Sequence, residues 1–74
     1  MQVEVRLFAT LREGRFDRQT IEQNEAVSLR ALLEHLDIPA DQVGIHLVNG
    51  KNASIDDIIT SNDVVSLFPA IGGG

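Results

Sequence analysis

The 74-residue chain has no cysteine, tryptophan or tyrosine, and only three phenylalanines and two prolines. Without cysteine there are no disulfides, no cysteine-ligated zinc, no iron–sulfur cluster and no thiol nucleophile. Any sulfur chemistry must therefore use another group of this chain. Positive charge is also scarce: one lysine, Lys51, and five arginines stand against eleven acids, giving a net charge of −5. That balance argues against nucleic acid, whose phosphates need Lys and Arg. It points instead to a partner with a basic face. No apolar run approaches the ~20 residues that span a membrane. The opening MQVEVRLFATLRE lacks the basic-then-apolar layout of a signal peptide. The expectation is a soluble, cytoplasmic protein. At this length the chain is one domain, burying only about 60% of its unfolded surface. It has room for a few strands and one helix but not for an enclosed catalytic cavity, so a self-sufficient enzyme is not expected.

What is present is strongly patterned. Val3, Val5 and Leu7 alternate with Glu4 and Arg6, as in a half-buried strand. Leu11 to Arg15 reads as a polar turn around Gly14, and Phe16 to Glu22 as a weaker strand, so the two strands form an antiparallel hairpin. Ser28 is a good helix N-cap, followed by an apolar stripe of Leu29, Leu32, Leu33 and Leu36. Val27 and Leu32 have the spacing of a hydrophobic staple. Pro39 stops the helix near Asp37, whose charge opposes the helix dipole there. Gly44 to Val48 is an apolar strand, and Asn49-Gly50 after it is a strong hairpin signal leading to a short return strand from Lys51 to Ser54. Ser54 reads as the cap of one helical turn through Ile55, Ile58 and Ile59. Val64 to Phe68 is a last, strongly apolar strand. The fold class is therefore α+β: a mixed sheet of four to five strands packed on one main helix, with the first and last strands as central neighbours.

The last strand runs directly into Pro69-Ala70-Ile71-Gly72-Gly73-Gly74. A terminal glycine run leaves the main-chain carboxylate on a thin thread with no side chain to block approach. Fully extended at ~3.3 Å per residue it reaches on the order of 20 Å from the body, enough to enter another protein's active site. The expected division is a folded domain over 1–69 and a flexible tail over 70–74.

Element order and ending resemble the β-grasp fold of ubiquitin-like proteins, and within it the sulfur carriers of the MoaD/ThiS type. Residues Val5 to Glu13 (VRLFATLRE) resemble the opening strand and turn of the MoaD-type small subunit of molybdopterin synthase. Val48-Asn49-Gly50 resembles its central hairpin, and Asn62 to Gly74 its ending. Asn62 replaces a usual glycine, Ala70 a common second proline, and Asp37 a frequent glycine helix stop.

The resemblance implies that the protein is a carrier and not an enzyme. A MoeB-like adenylyltransferase would use ATP to convert the Gly74 carboxylate, presented by Gly73, into an acyl-adenylate. Sulfur would then replace the adenylate to give a thiocarboxylate. A MoaE-like synthase large subunit would consume that sulfur in making the molybdenum or tungsten cofactor. No bound cofactor and no metal are implied, and neither nucleic acid nor membrane is a partner. The alternatives are a ThiS-type carrier for thiazole synthesis and a ubiquitin-like modifier joined to lysines through Gly74. The early Leu-Phe-Ala-x-Leu-Arg-Glu segment favours the MoaD type over the ThiS type.

Partner contacts are expected on the sheet's outer face. Alternation turns Phe8 away from the helix, and Ser66 places Val64, Ser66 and Phe68 on the same outward side. Phe8, Arg12, Leu67, Phe68, Pro69 and Gly72 are the candidate docking residues, with Arg15 and Arg18 completing a basic cluster around Arg12. Other polar groups carry less. His35 and His46 lack ligand spacing, and the adjacent Asp56 and Asp57 point different ways. Ser54 has no His–acid pair placed to activate it.

Overall fold

The computed structural model describes residues 1–70. The calls on Gly72, Gly73 and Gly74, and the tail beyond Ala70, lie outside the described residues. Five strands form the main sheet: β1 (Gln2–Leu7), β2 (Arg18–Glu22), β4 (Val43–Val48), β5 (Lys51–Asn52) and β7 (Val64–Pro69). Their order is β2-β1-β7-β4-β5. β1 and β7 run parallel at the centre, and the other pairs are antiparallel, so the sheet is mixed. A single helix, α1 (Leu29–His35), packs across one face. This is the β-grasp architecture.

The parallel pairing sets Val5 beside Val65 and Leu7 beside Leu67. All four, with Val3, face the helix and are essentially fully buried. Leu29, Leu32 and Leu33 meet them from α1, while Leu36 is only partly covered. At roughly 25 cal/mol per Å² of apolar surface removed from water, this interlocked leucine–valine layer is the main source of stability.

Both ends of α1 are made by specific residues. Ser28 Oγ accepts a hydrogen bond from the Ala31 N–H at 3.1 Å, satisfying one orphan donor. At the other end Asp37 takes φ +60, a left-handed conformation usual for glycine. Its N–H donates to Glu34 O at 3.1 Å, and Ile38 N–H donates to Leu33 O at 3.0 Å. That is the Schellman pattern, closed by apolar burial of Ile38 and Leu33. Asp37 thus owes its place to backbone geometry, since aspartate tolerates this region better than most residues.

The Asn49-Gly50 turn has positive φ at both residues (+54 and +82), the mirror-image geometry that suits a two-residue hairpin. Asn49 does more than turn the chain. Its side chain accepts from Val64 N–H and donates to Asp63, both at 2.9 Å, tying the hairpin to the start of β7. Asn62 takes φ +68, the left-handed turn that asparagine tolerates.

Three sequence expectations are corrected. Leu11 does not sit in a polar turn: Ala9 to Arg12 form a 3₁₀ turn that buries Leu11 in the core. The second strand begins at Arg18, with Phe16 partly buried before it. Residues after Ser54 make no helical turn. Instead β6 (Ile58–Ile59) pairs with β3 (Val27–Ser28) in a separate two-stranded ribbon that buries Ile59 and exposes Ile58. Ser54 still acts locally, its Oγ accepting from Asp56 N–H at 3.2 Å.

Candidate functional site

The outer face of the sheet follows from the register. With Val3, Val5, Leu7, Val65 and Leu67 turned inward, Glu4, Arg6 and Phe8 must point outward, as must Val64, Ser66 and Phe68. β4 pairs Ile45 with Phe68 and Leu47 with Ser66, so Ile45 and Leu47 share that face. Phe8 and Phe68 stack with ring centroids 4.4 Å apart and planes within 9°. Ile45, 46% exposed, extends this platform onto β4. Buried aromatic and aliphatic groups at the centre of a patch are what anchor protein interfaces.

The backbone around Phe8 holds it there. Its N–H donates to Leu67 O at 3.1 Å, continuing the β1–β7 ladder one residue past the strand. Ala9 then takes φ +52, a costly conformation for alanine, and the chain leaves the sheet abruptly. The 3₁₀ turn that follows brings Arg12 back beside Phe8.

Of the sequence-derived candidates, the structure brings Phe8, Phe68 and Arg12 to one region. Pro69 is half-buried at the end of β7, where it pairs with Val43. Leu67 is corrected: its side chain is fully buried against the helix and faces no partner. Strand alternation makes that unavoidable once Phe68 points outward. Arg15 turns back to donate to Leu11 O at 3.2 Å, closing the end of the 3₁₀ turn. Arg18 lies opposite Arg6 across β1 and β2. Arg6 Nε is paired with the Glu4 carboxylate.

Sequence reading passed over one residue at the base of the tail. The β4–β7 ladder shifts register between Val43 and Ile45, leaving Gly44 unpaired at a bulge. A Cβ at Gly44 would lie 2.8 Å from Ala70 Cα and 2.9 Å from Pro69 O. Ala70 N–H donates to Gln42 O at 2.9 Å. Glycine is therefore needed beside the end of β7, and an isolated glycine within an apolar strand is the sequence signal for such a bulge.

Polar groups elsewhere are engaged structurally. His46 Nδ1 lies 2.6 Å from Ala53 O, and Asp57 accepts from Ser54 N–H at 3.0 Å. Asp56 meets Arg30 across 3.2 Å. Asp63 accepts from Thr60 N–H at 2.8 Å, which holds its carboxyl below its ordinary value of 3.8; burial opposes this, and hydrogen bonds from Asn49 and the Thr60 hydroxyl add to the lowering. Among the described residues no three His, Cys, Asp or Glu side chains are grouped to hold a metal. No helix among them is long and apolar enough to cross a membrane.

The mixed sheet, its single main helix and the stacked Phe8–Phe68 pair on the outer face set this chain beside known β-grasp proteins. The ThiS family model matches residues 5–74, and the chain belongs to that family of small carriers, which are not enzymes. No curated protein matches the chain in sequence. Among solved structures, a Pyrococcus furiosus protein named for subunit 1 of molybdopterin converting factor is 28% identical, with a TM-score of 0.77, covering 96% of this chain and 99% of its own. The molybdopterin-converting factor of Helicobacter pylori, solved as a complex of subunits 1 and 2, supplies a chain 28% identical with a TM-score of 0.64 and full coverage of both chains. SAMP1 of Haloferax volcanii has the same fold at 22% identity, with a TM-score of 0.73 and full coverage of both.

Proposed function

We propose that this protein is a sulfur carrier for molybdopterin synthesis and the small subunit of its synthase. The observation that supports this reading most directly is the Phe8–Phe68 platform on the strand that leads into Gly72-Gly73-Gly74. The likeness to a chain solved in a subunit 1–subunit 2 complex supports it further. The platform holds the body on a partner while the tail enters that partner's active site.

A carboxylate is a poor electrophile because its oxygen is a poor leaving group. A MoeB-like partner would bring ATP, and a Gly74 carboxylate oxygen would attack the α-phosphorus, expelling pyrophosphate. The acyl-adenylate so formed has AMP as a good leaving group. Hydrosulfide delivered by a partner would attack the acyl carbon, displace AMP and leave a thiocarboxylate on Gly74. That thiocarboxylate is itself a nucleophile, so the carrier needs no cysteine and has none. A MoaE-like large subunit would then take the sulfur into a pterin dithiolene, and hydrolysis would restore the carboxylate. The chain supplies the reacting carboxylate and docking surface, and partners supply ATP chemistry and catalysis.

The test is a variant with one alanine appended after Gly74. It should fold as the parent does and accept no sulfur when incubated with the adenylyltransferase, ATP and a sulfur donor. Sulfur loading of the extended chain would overturn the mechanism. Reconstitution with the pterin-synthase large subunit, set beside a thiazole synthase, separates the proposed pathway from the ThiS-type alternative. A Gly74-dependent ladder of conjugates on denaturing gels would identify a protein modifier.

A further inference from the structure

Positive charge is gathered at one edge of the outer face. The chain as a whole carries −5, yet four of its six cationic side chains, Arg6, Arg12, Arg15 and Arg18, fall in its first eighteen residues. Arg6, Arg12 and Arg18 line an open hollow of about 550 Å³ with Phe8, at the rim of the aromatic platform, and Asp17 is the one carboxylate among the described residues of its lining. Arg6 and Arg18 are direct cross-strand partners in the antiparallel β1–β2 pair. Like charges placed opposite each other destabilise a sheet. The local carboxylates offset that repulsion only in part. Glu4 takes Arg6 through Nε, and Asp17 stands 4.0 Å from Arg12, beyond hydrogen-bond distance. Arg18 has no ion pair among the described residues.

We propose that this hollow receives an acidic segment of the adenylate-forming partner, whose carboxylates pair with Arg6, Arg12 and Arg18 while the Phe8–Phe68 stack is covered. The inference rests on tail activation, the step shared by every reading of Gly74. Arginine side chains about half exposed, 43% for Arg6 and 49% for Arg12, suit a fork-shaped grip on carboxylates at a protein surface. The hollow is open and lies on the body, whereas the activated nucleotide must be met by the tail. The acidic remainder of the carrier would orient this basic face toward such a partner during encounter. Overall acidity alone points to a basic partner, so the local arrangement reverses the inference drawn from composition.

Steady-state ATP–pyrophosphate exchange with the purified cognate adenylyltransferase, run at varied carrier and salt concentrations, tests this. Arg6→Glu/Arg18→Glu should raise the KM for carrier about tenfold or more at low salt, flatten its salt dependence and leave the KM for ATP in place. Arg6→Lys/Arg18→Lys should recover most of the loss, since it restores charge without the fork. Should the reversed pair fail to fold, Arg6→Gln/Arg18→Gln gives the same reading with a smaller rise. An unchanged carrier KM and salt slope in a folded variant would overturn the proposal while leaving Gly74 activation intact. A rise in the KM for ATP instead would assign the arginines to nucleotide phosphate and also overturn it. Absence of exchange with the wild-type carrier would remove the proposed function and this inference together.

Discussion

The two faces of the central strand pair use the same backbone for opposite purposes. On the inner face Val5, Val65, Leu7 and Leu67 are in register and closed off from water by α1. One residue along, the outer face carries Phe8, Phe68 and Ile45 beside a cluster of arginines, with no helix of the described residues packed over them. The inner face is closed by the chain's own helix, whereas the outer face is the surface proposed to meet a partner. Because side chains alternate along a strand, neither face can change register without the other. Anchoring β7 in the core therefore also fixes where Phe68 sits and where the segment toward Gly74 departs.

The sharpest way to break this comparison is to cut each face by one side chain. Leu67→Ala removes a fully buried side chain and should destabilise the fold by about 2–5 kcal/mol, read by urea denaturation. Phe68→Ala, its immediate neighbour, should lower affinity for the adenylyltransferase by roughly 10- to 100-fold, as loss of an interface anchor does. Its stability cost should be near 1 kcal/mol, the worth of an aromatic pair. Titration calorimetry and denaturation on the same sample separate the two effects. Equal stability losses at both positions would erase the distinction between faces.

Gly44→Ala probes the bulge packed against the end of β7. A Cβ there meets backbone atoms of Pro69 and Ala70, so something must shift, at about 1–3 kcal/mol. The loss should appear in denaturant unfolding, with slower adenylation as the base of the tail is displaced. The smallest effect concerns Asp63. Its folded pKa lies below its ordinary value, so the unfolded chain binds the proton more readily. The stabilisation is complete above the unfolded value near 3.8 and disappears as pH falls through the lower folded value. Asp63→Asn should remove this dependence, measured as a small loss of melting temperature at neutral pH that vanishes in acid below the folded value.

Much of this arrangement was legible in the sequence because it rests on strong periodicities. Alternation in β1 and the position of Ser66 placed Phe8 and Phe68 on one outer face, where the structure stacks them. Ser28 and Asn49-Gly50 marked a cap and a turn found where expected. What escaped has no period to read. β3 and β6 are two residues each, and the isoleucines of β6 fit a helical spacing as well as a strand. Leu11 is one apolar residue among polar neighbours, buried because a 3₁₀ turn folds it under the sheet. Asp37 looked misplaced by charge and is explained only by its φ. The arginine hollow needed the β1–β2 register, which sets Arg6 against Arg18 across twelve residues of sequence.

The most direct test of the carrier reading is the intact mass of the protein isolated from its native host under thiol-free conditions. A species heavier by exchange of one oxygen for one sulfur, localised to the peptide ending in Gly74, is the predicted result. Only the unmodified mass, in cells actively making the cofactor, would contradict it.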